Sequence, residues 1–307
     1  MPPLPPICLT GATGFIGRRV LARLADLSAT DVTLLLRDPS RLAPRASNLP
    51  SRLVQIDLGR ESIPAGSIAP DSVVIHLAAA TGTAAASQMQ QVNIAGTQRL
   101  LDAAQAAGAG HILFVSSVAA GYRDQRWALY AKSKVAAERL IAAGSIPYTI
   151  VRPTIVFGPG SPNQRGLERL AALALPLLPG QGDVRVQPIH VDDLAEALLR
   201  IASGPPVGGA AVTIGGPTVA TMRALFAAIR RARGLAPREP LRLPLEPLRR
   251  VLAITGSLLP VRAGQFVVFA NDSMAEPPPA RVRLPIPRVS LEAMLTPVQQ
   301  GASNQAS

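Results

Sequence analysis

Ile7-Cys8-Leu9-Thr10-Gly11-Ala12-Thr13-Gly14-Phe15-Ile16-Gly17 decides the fold. A short apolar run enters three glycines at three-residue spacing, and an apolar-periodic segment follows to about Leu27. Strand, glycine turn and helix in that order are the setting of a dinucleotide fingerprint. Gly11 permits the tight turn, Gly14 lets the backbone approach a pyrophosphate, and Gly17 lets the helix pack close to the strand. The phosphates would sit on the helix N-terminus, where free N–H groups and the helix dipole favour anions. The spacing is Gly-x-x-Gly-x-x-Gly rather than Gly-x-Gly-x-x-Gly.

Outward from this turn, strands and helices alternate. Strands are expected at 32–36, 53–56, 72–77, 112–115 and 148–151, with helices between them, at 88–107 and around Tyr130–Lys134. This alternation predicts an α/β fold with a doubly wound parallel sheet. The second strand ends Leu36-Arg37-Asp38, with Arg41 nearby. In NAD-specific sites an acidic residue here holds the ribose hydroxyl; Arg37 instead suits a 2′-phosphate. NADP is therefore the expected cofactor, with NAD as the alternative through Asp38.

Tyr130-Ala-Lys-Ser-Lys134 places a phenol and an ammonium four residues apart, on one helix face. A cation beside a phenol favours the phenolate and brings it into acid–base range. Lys132 and Lys134 are the only lysines of the chain. Arginine cannot share a proton as lysine does, so lysine here is a specific choice. Ser117, thirteen positions before Tyr130, offers a hydroxyl for a substrate oxygen. Asn93, in an apolar pattern, is expected to satisfy a backbone group near the site. His76 reads as structural.

These stretches together resemble the extended short-chain dehydrogenase/reductase superfamily, the NAD-dependent epimerase/dehydratase family. The resemblance runs from about residue 6 to 200. It rests on Thr10–Gly17, His76-Leu-Ala-Ala79, Val92-Asn93-Ile-Ala-Gly-Thr97, Phe114-Val-Ser-Ser117, Tyr130-x-x-x-Lys134, Val151-Arg-Pro153 and Ile189-His-Val-Asp-Asp193. It implies a Rossmann core over 1–155 and a small C-terminal substrate lobe over most of 156–300, some segments returning to the core. It implies Tyr130 as acid–base, Lys134 as its activator and ribose ligand, and Ser117, or else Ser116, as substrate-oxygen partner. Gly11, Thr13, Gly14, Phe15, Ile16 and Gly17 would surround the pyrophosphate. Asp57 and Leu58 would flank the adenine, Ala78 and Ala79 the ribose, and Pro153 to Val156 the nicotinamide. Arg37, Asn93 and Ser116 complete the expected cofactor site. Homodimers in this family often form through Rossmann-domain helices.

Ala119-Ala-Gly121 stands where the nucleotide-sugar epimerases carry Val-Tyr-Gly. The segment from Phe157 to Asp193 resembles the branch related to the NAD(P)H-binding accessory subunit of respiratory complex I. Three functions follow, in order of expectation: an NAD(P)-dependent oxidoreductase acting on a carbonyl or hydroxyl substrate; a nucleotide-binding accessory protein of a larger assembly; and a nucleotide-sugar epimerase or dehydratase.

Composition narrows the setting. The 307 residues carry a formal charge of +12, yet the arginines are spread without an aromatic-laced basic run, which argues against nucleic acid. Attraction to acidic partners or an anionic membrane face is the weaker alternative. Single Cys8 excludes an intramolecular disulfide and reads as a small buried hydrophobe. No residue cluster suggests a metal, and no uncharged apolar run reaches the ~18 residues of a spanning helix. A cytoplasmic protein is expected. Expectations for the C-terminal half are helices over 167–178, from about 191 to 203 with Asp192 or Asp193 at its start, and over 221–233, a strand over 211–214, and a disordered tail at 301–307.

Overall fold

The computed structural model describes residues 4–42, 49–81, 84–125, 128–206, 209–255, 263–278 and 284–296. The tail from Gly301 lies outside them. The core elements are β1 (Ile7–Thr10), α1 (Phe15–Asp26), β2 (Val32–Leu36), β3 (Ser51–Gln55), β4 (Val73–His76), α2 (Ala86–Met89), α3 (Gly96–Ala106), β5 (His111–Val115), α4 (Leu129–Ala143) and β6 (Tyr148–Pro153). The lobe and its returns supply β7 (Val156–Phe157), α5 (Pro162–Ala172), β8 (Leu177–Pro179), β9 (Arg185–Val186), β10 (Ile189–His190), α6 (Val191–Ala202) and β11 (Ala210–Ile214). There follow β12 (Ala220–Thr221), α7 (Met222–Ala232), β13 (Leu241–Leu243), α8 (Leu245–Thr255) and α9 (Leu291–Leu295).

The main sheet has seven strands in the order β11-β6-β5-β4-β1-β2-β3. All its pairings are parallel. The expected doubly wound sheet is therefore present, and β11 extends it by pairing Ala210–Ile214 with Thr149–Pro153. Side-chain alternation divides the core. Ile7, Leu9, Leu34, Ile75 and Leu113 face α1 and α6, while Cys8, Leu35, Val74, Ile112 and Phe114 face α3 and α4. Strands buried on both faces read as continuous apolar runs. Cys8 is 1% exposed, and burial pushes its thiol up to about 12.

Between β1 and β4 the strand order reverses, opening a crevice at the carboxyl ends of the strands. Gly11 and Ala78 line its floor so closely that a Cβ on Gly11 would lie 2.6 Å from the Ala78 nitrogen. Gly11 also has φ +74°, a region that favours glycine.

Three local expectations change. The 88–107 helix begins at Ala86 and contains a π-helical stretch, Gln90–Ala95. The 167–178 helix ends at Ala172, after which Leu177–Pro179 forms β8 beside β13. Pro176 cannot supply the N–H a continuing helix needs. Finally, α6 is capped by His190 rather than by Asp192 or Asp193; its Nδ1 accepts from the Asp192 N–H at 3.3 Å. Asp192 is instead committed to Arg19 of α1, with contacts of 2.5 and 2.6 Å. Asp193 accepts from the backbone N–H groups of Arg288 and Val289.

Candidate active site

The glycine turn presents an anion-ready helix end. Gly14 is the N-cap of α1, with no side-chain cap and no acidic residue in the first turn. Its leading N–H groups thus lack side-chain acceptors. Gly17 has no alternative, since a Cβ there would meet the Gly11 oxygen at 2.1 Å. Thr13 is half-buried, and Phe15 and Ile16 pack on the α1-side core.

At the end of β2, Arg37 is exposed and makes no hydrogen bond or ion pair among the described residues. Asp38 caps the following turn: its Oδ1 accepts from the Ser40 N–H at 3.1 Å and the Ser40 hydroxyl at 2.6 Å. Those bonds hold its carboxyl below the usual range, helped by Arg41 and Arg37. Arg18 reaches the same corner, donating to the Arg41 carbonyl at 3.4 Å. Three arginines therefore gather where the strand ends. Further along the edge, one Asp57 carboxylate oxygen accepts from Gly59 N–H at 2.9 Å. Leu58 is buried, its carbonyl accepting from Arg99.

A chain of buried hydrogen bonds runs from the turn to the Tyr130 helix. Thr10 Oγ1 lies 2.7 Å from His76 Nδ1, and His76 Nε2 lies 3.0 Å from Thr97 Oγ1. The Thr97 hydroxyl spends its one proton on the Asn93 carbonyl at 2.7 Å. It must therefore accept from His76, which fixes the Nε2–H tautomer and makes Thr10 the donor to Nδ1. Thr10 in turn accepts from the N–H groups of Leu77 and Ala78. Burial foremost, and then Lys134, push His76 down to about 3, so it stays neutral, as a structural histidine should.

Asn93 continues the chain. Its amide accepts from Ala80 N–H at 2.7 Å, and donates to the Ala80 carbonyl at 3.0 Å and to Ser133 Oγ at 2.8 Å. Ser133 then donates to the Tyr130 carbonyl at 2.7 Å. The expectation of a backbone partner for Asn93 is met by Ala80. Both ends of its amide are occupied, which makes it a positioning residue for α4 rather than an open ligand. It lies in the π-helical stretch, a distortion that often marks functional sites.

Tyr130, Lys134 and Glu138 lie at four-residue intervals on α4. Tyr130 is half-buried, and its hydroxyl makes no hydrogen bond among the described residues. Lys134 is 2% exposed, with Nζ 4.3 Å from the centre of the Phe114 ring and no hydrogen bond among the described residues. Burial pushes it down to about 7, with Glu138 opposing. Glu138 is held by Arg152 of β6, at 2.9 and 2.5 Å. Burial also pushes Tyr130 up to about 12. Tyr130 and Lys134 share a face of α4, as their spacing predicts, and burial is what moves both groups.

Ser117 caps the short turn at Val118–Gly121 by accepting from Ala119 N–H at 3.2 Å, which leaves its proton available. Ser116 is buried, and its hydroxyl has no partner. Ala78 and Ala79 are half-buried beside Gly11, while Pro153 and Val156 are buried at the end of β6 and in β7. Glu138, Arg152, Ser133, Thr97 and Arg18 were not singled out as site residues from sequence. Glu138 had a signal, its four-residue spacing from Lys134; the others are joined only by the fold.

Turn, crevice and Tyr-Lys helix fit a dinucleotide: an uncapped helix end for its phosphates, a buried Ser116 Oγ without a partner, and a buried Lys134 with no hydrogen bond among the described residues. Fold and site together define a Rossmann-type protein of the short-chain dehydrogenase/reductase kind. The chain belongs to the NAD-dependent epimerase/dehydratase family, whose profile it matches over residues 7–215. It is 36% identical over 203 residues to the ceramide reductase of Caulobacter vibrioides, spanning 66% of this chain and 62% of that protein. It is 28% identical over 246 residues to an uncharacterized Mycobacterium tuberculosis protein, of which it spans only 25%. A Streptomyces 3-diazoavenalumate denitrifying reductase is 30% identical over 235 residues, 67% of this chain and 75% of the other. Among solved structures, the NAD-bound dTDP-glucose 4,6-dehydratase of Streptomyces venezuelae superposes with a TM-score of 0.70 at 21% identity, over 94% of this chain and 95% of that one.

Proposed function

We propose that the protein is an NADPH-dependent reductase of an apolar carbonyl substrate, with Tyr130 as proton donor. The observation behind this reading is Lys134. A lysine buried away from water with its pKa pushed down is a cost to the fold, and such groups cluster where chemistry needs them. Lys134 makes no hydrogen bond among the described residues, and it sits one helical turn from the half-buried Tyr130 phenol, which likewise has no partner among them.

When bound, the cofactor supplies hydride from its nicotinamide. The chain's residues handle the oxygen. As negative charge develops there, the hydroxyls of Ser117 and Tyr130 donate to it. Tyr130 then gives up its proton, and Lys134 stabilises the phenolate left behind. A phenol pushed up to about 12 stays protonated at neutral pH, the state a reductase requires. The exposed Arg37, with Arg18 and Arg41 at the same corner and Asp38 turned to Ser40, supports NADPH over NADH. Similarity to a ceramide reductase and to another reductase supports a reductase, and the first of these names a lipid as its substrate.

The test is Tyr130→Phe, assayed by NADPH oxidation with long-chain ketones and aldehydes. Turnover should fall about 10²- to 10⁴-fold, the usual contribution of general acid catalysis, while NADPH affinity stays within about threefold. Full activity in the variant would remove Tyr130 from the mechanism.

A further inference from the structure

The C-terminal lobe carries an apolar patch that the reductase reading does not use. Leu173, Leu175 and Leu241 are 43%, 53% and 47% exposed. They are neighbours, because Leu241 N–H donates to the Pro176 carbonyl at 2.8 Å, and β13 runs beside β8. Arg238 is fastened to the same loop, donating to the Ala174 carbonyl at 3.1 Å. Arg165 and Arg169 precede Leu173 at four-residue steps on α5, so an exposed basic stripe runs into the patch. None of these three arginines has a carboxylate partner among the described residues.

Charge is concentrated here. Residues 165–175 and 230–250 hold nine arginines and three glutamates; Arg230 and Arg249 are buried and Arg233 pairs with Glu168, while Arg165, Arg169 and Arg238 remain exposed around the leucines. Aliphatic side chains ringed by unpaired guanidinium groups match an anionic bilayer surface, where leucines enter the acyl boundary and arginines meet phosphates. A protein partner with a like patch would face arginine against arginine.

We propose that this face docks the protein on anionic lipid membranes. The docking face is also joined to the active site. β13 leads straight into α8, whose buried Arg249 donates to Asp124 at 3.1 Å. Asp124 lies in the loop between Ser117 and Tyr130. Leu241 is thereby within about 20 Å of Arg249 along the chain.

The test is flotation of the full-length protein with phosphatidylglycerol/phosphatidylcholine vesicles and with pure phosphatidylcholine vesicles. Binding to the anionic vesicles should be at least tenfold stronger and should weaken with salt. L173S/L175S/L241S should reduce it about tenfold, and R165Q/R169Q/R238Q should abolish the anionic preference, with thermal melts confirming that both variants fold. No binding by the wild-type protein, equal binding to both vesicles, or binding unchanged by both variants would overturn the proposal. So would light scattering that shows a dimer dispersed by the leucine variant, since the face would then be an interface between two copies.

Discussion

The Rossmann core and the C-terminal lobe bury polar side chains in different ways. In the core, Thr10, His76, Thr97, Asn93 and Ser133 form one uncharged chain that ends on the backbone of Tyr130. In the lobe, arginines act as separate braces. Arg230 donates to the carbonyls of Ala171, Leu173 and Ala236. Arg249 holds Asp124, and at the surface the exposed Arg185 grips Asp272 of the returning segment. A connected neutral network fixes a reactive group in one geometry. Isolated charged braces fasten loops, and each can be lost without undoing its neighbours.

The sharpest test of that contrast is Asn93→Leu against Arg230→Met. Asn93→Leu strands the Ala80 N–H and carbonyl, frees Ser133, and should destabilise by about 3 kcal/mol, the scale of two or three unsatisfied buried groups. Because Ser133 holds the Tyr130 carbonyl, kcat should also fall, by about tenfold or more, with KM little changed. Arg230→Met removes charge-assisted bonds to three carbonyls and should also cost about 3 kcal/mol. Its kcat should hold near wild type, since the brace touches nothing on α4. Urea unfolding and steady-state kinetics on both variants decide the matter. If Arg230→Met lowers kcat as much as Asn93→Leu, the lobe is not an independent set of braces.

The sheet and the cofactor turn were legible in the sequence because their signals are local. Gly11, Gly14 and Gly17 sit within seven residues, and β1, β2, β4 and β5 are short, mostly apolar runs buried along their whole length. Tyr130 and Lys134 declare themselves by helical spacing. The Asn93–Ser133 bond spans 40 residues, and Thr10–His76 spans 66. Nothing in a linear reading pairs such residues. Spacing likewise reveals the lysine one turn from Tyr130 but not the burial of either group. In the lobe, β8 was hidden in an apolar run whose helix stops before Pro176. Its partner β13 lies more than 60 residues away.

A smaller effect separates the two regions by pH. Both histidines buried in the core, His76 and His111, are pushed down, to about 3 and about 4, chiefly by burial. The unfolded chain binds protons there near pH 6.5 while the folded chain does not. Stability contributed by the neutral rings is therefore full above that pH and is lost on acidification through the window down to the folded values. Between about pH 6 and 4 each histidine should steepen the decline by up to about 1.4 kcal/mol per pH unit. Urea midpoints across this range, for the wild-type protein and His111→Phe, measure the slope. A flat profile would mean that the rings are accessible to protons in the native state.

The smallest change is expected at the edge of the crevice, where the core meets solvent. Arg37→Ser removes a cation that no described residue pairs with, so folding should be unaffected. NADPH and NADH differ only by the 2′-phosphate, and an exposed guanidinium–phosphate contact is worth about 1.4 kcal/mol, or tenfold. NADPH affinity should thus fall about tenfold, with NADH unchanged, in calorimetric titrations of the two nucleotides. Arg18 and Arg41 would retain part of the preference, which is why the loss stays modest. If NADPH and NADH weaken together, Arg37 acts on the shared adenosine and not on the phosphate. If neither changes, Arg37 does not contact the 2′-phosphate.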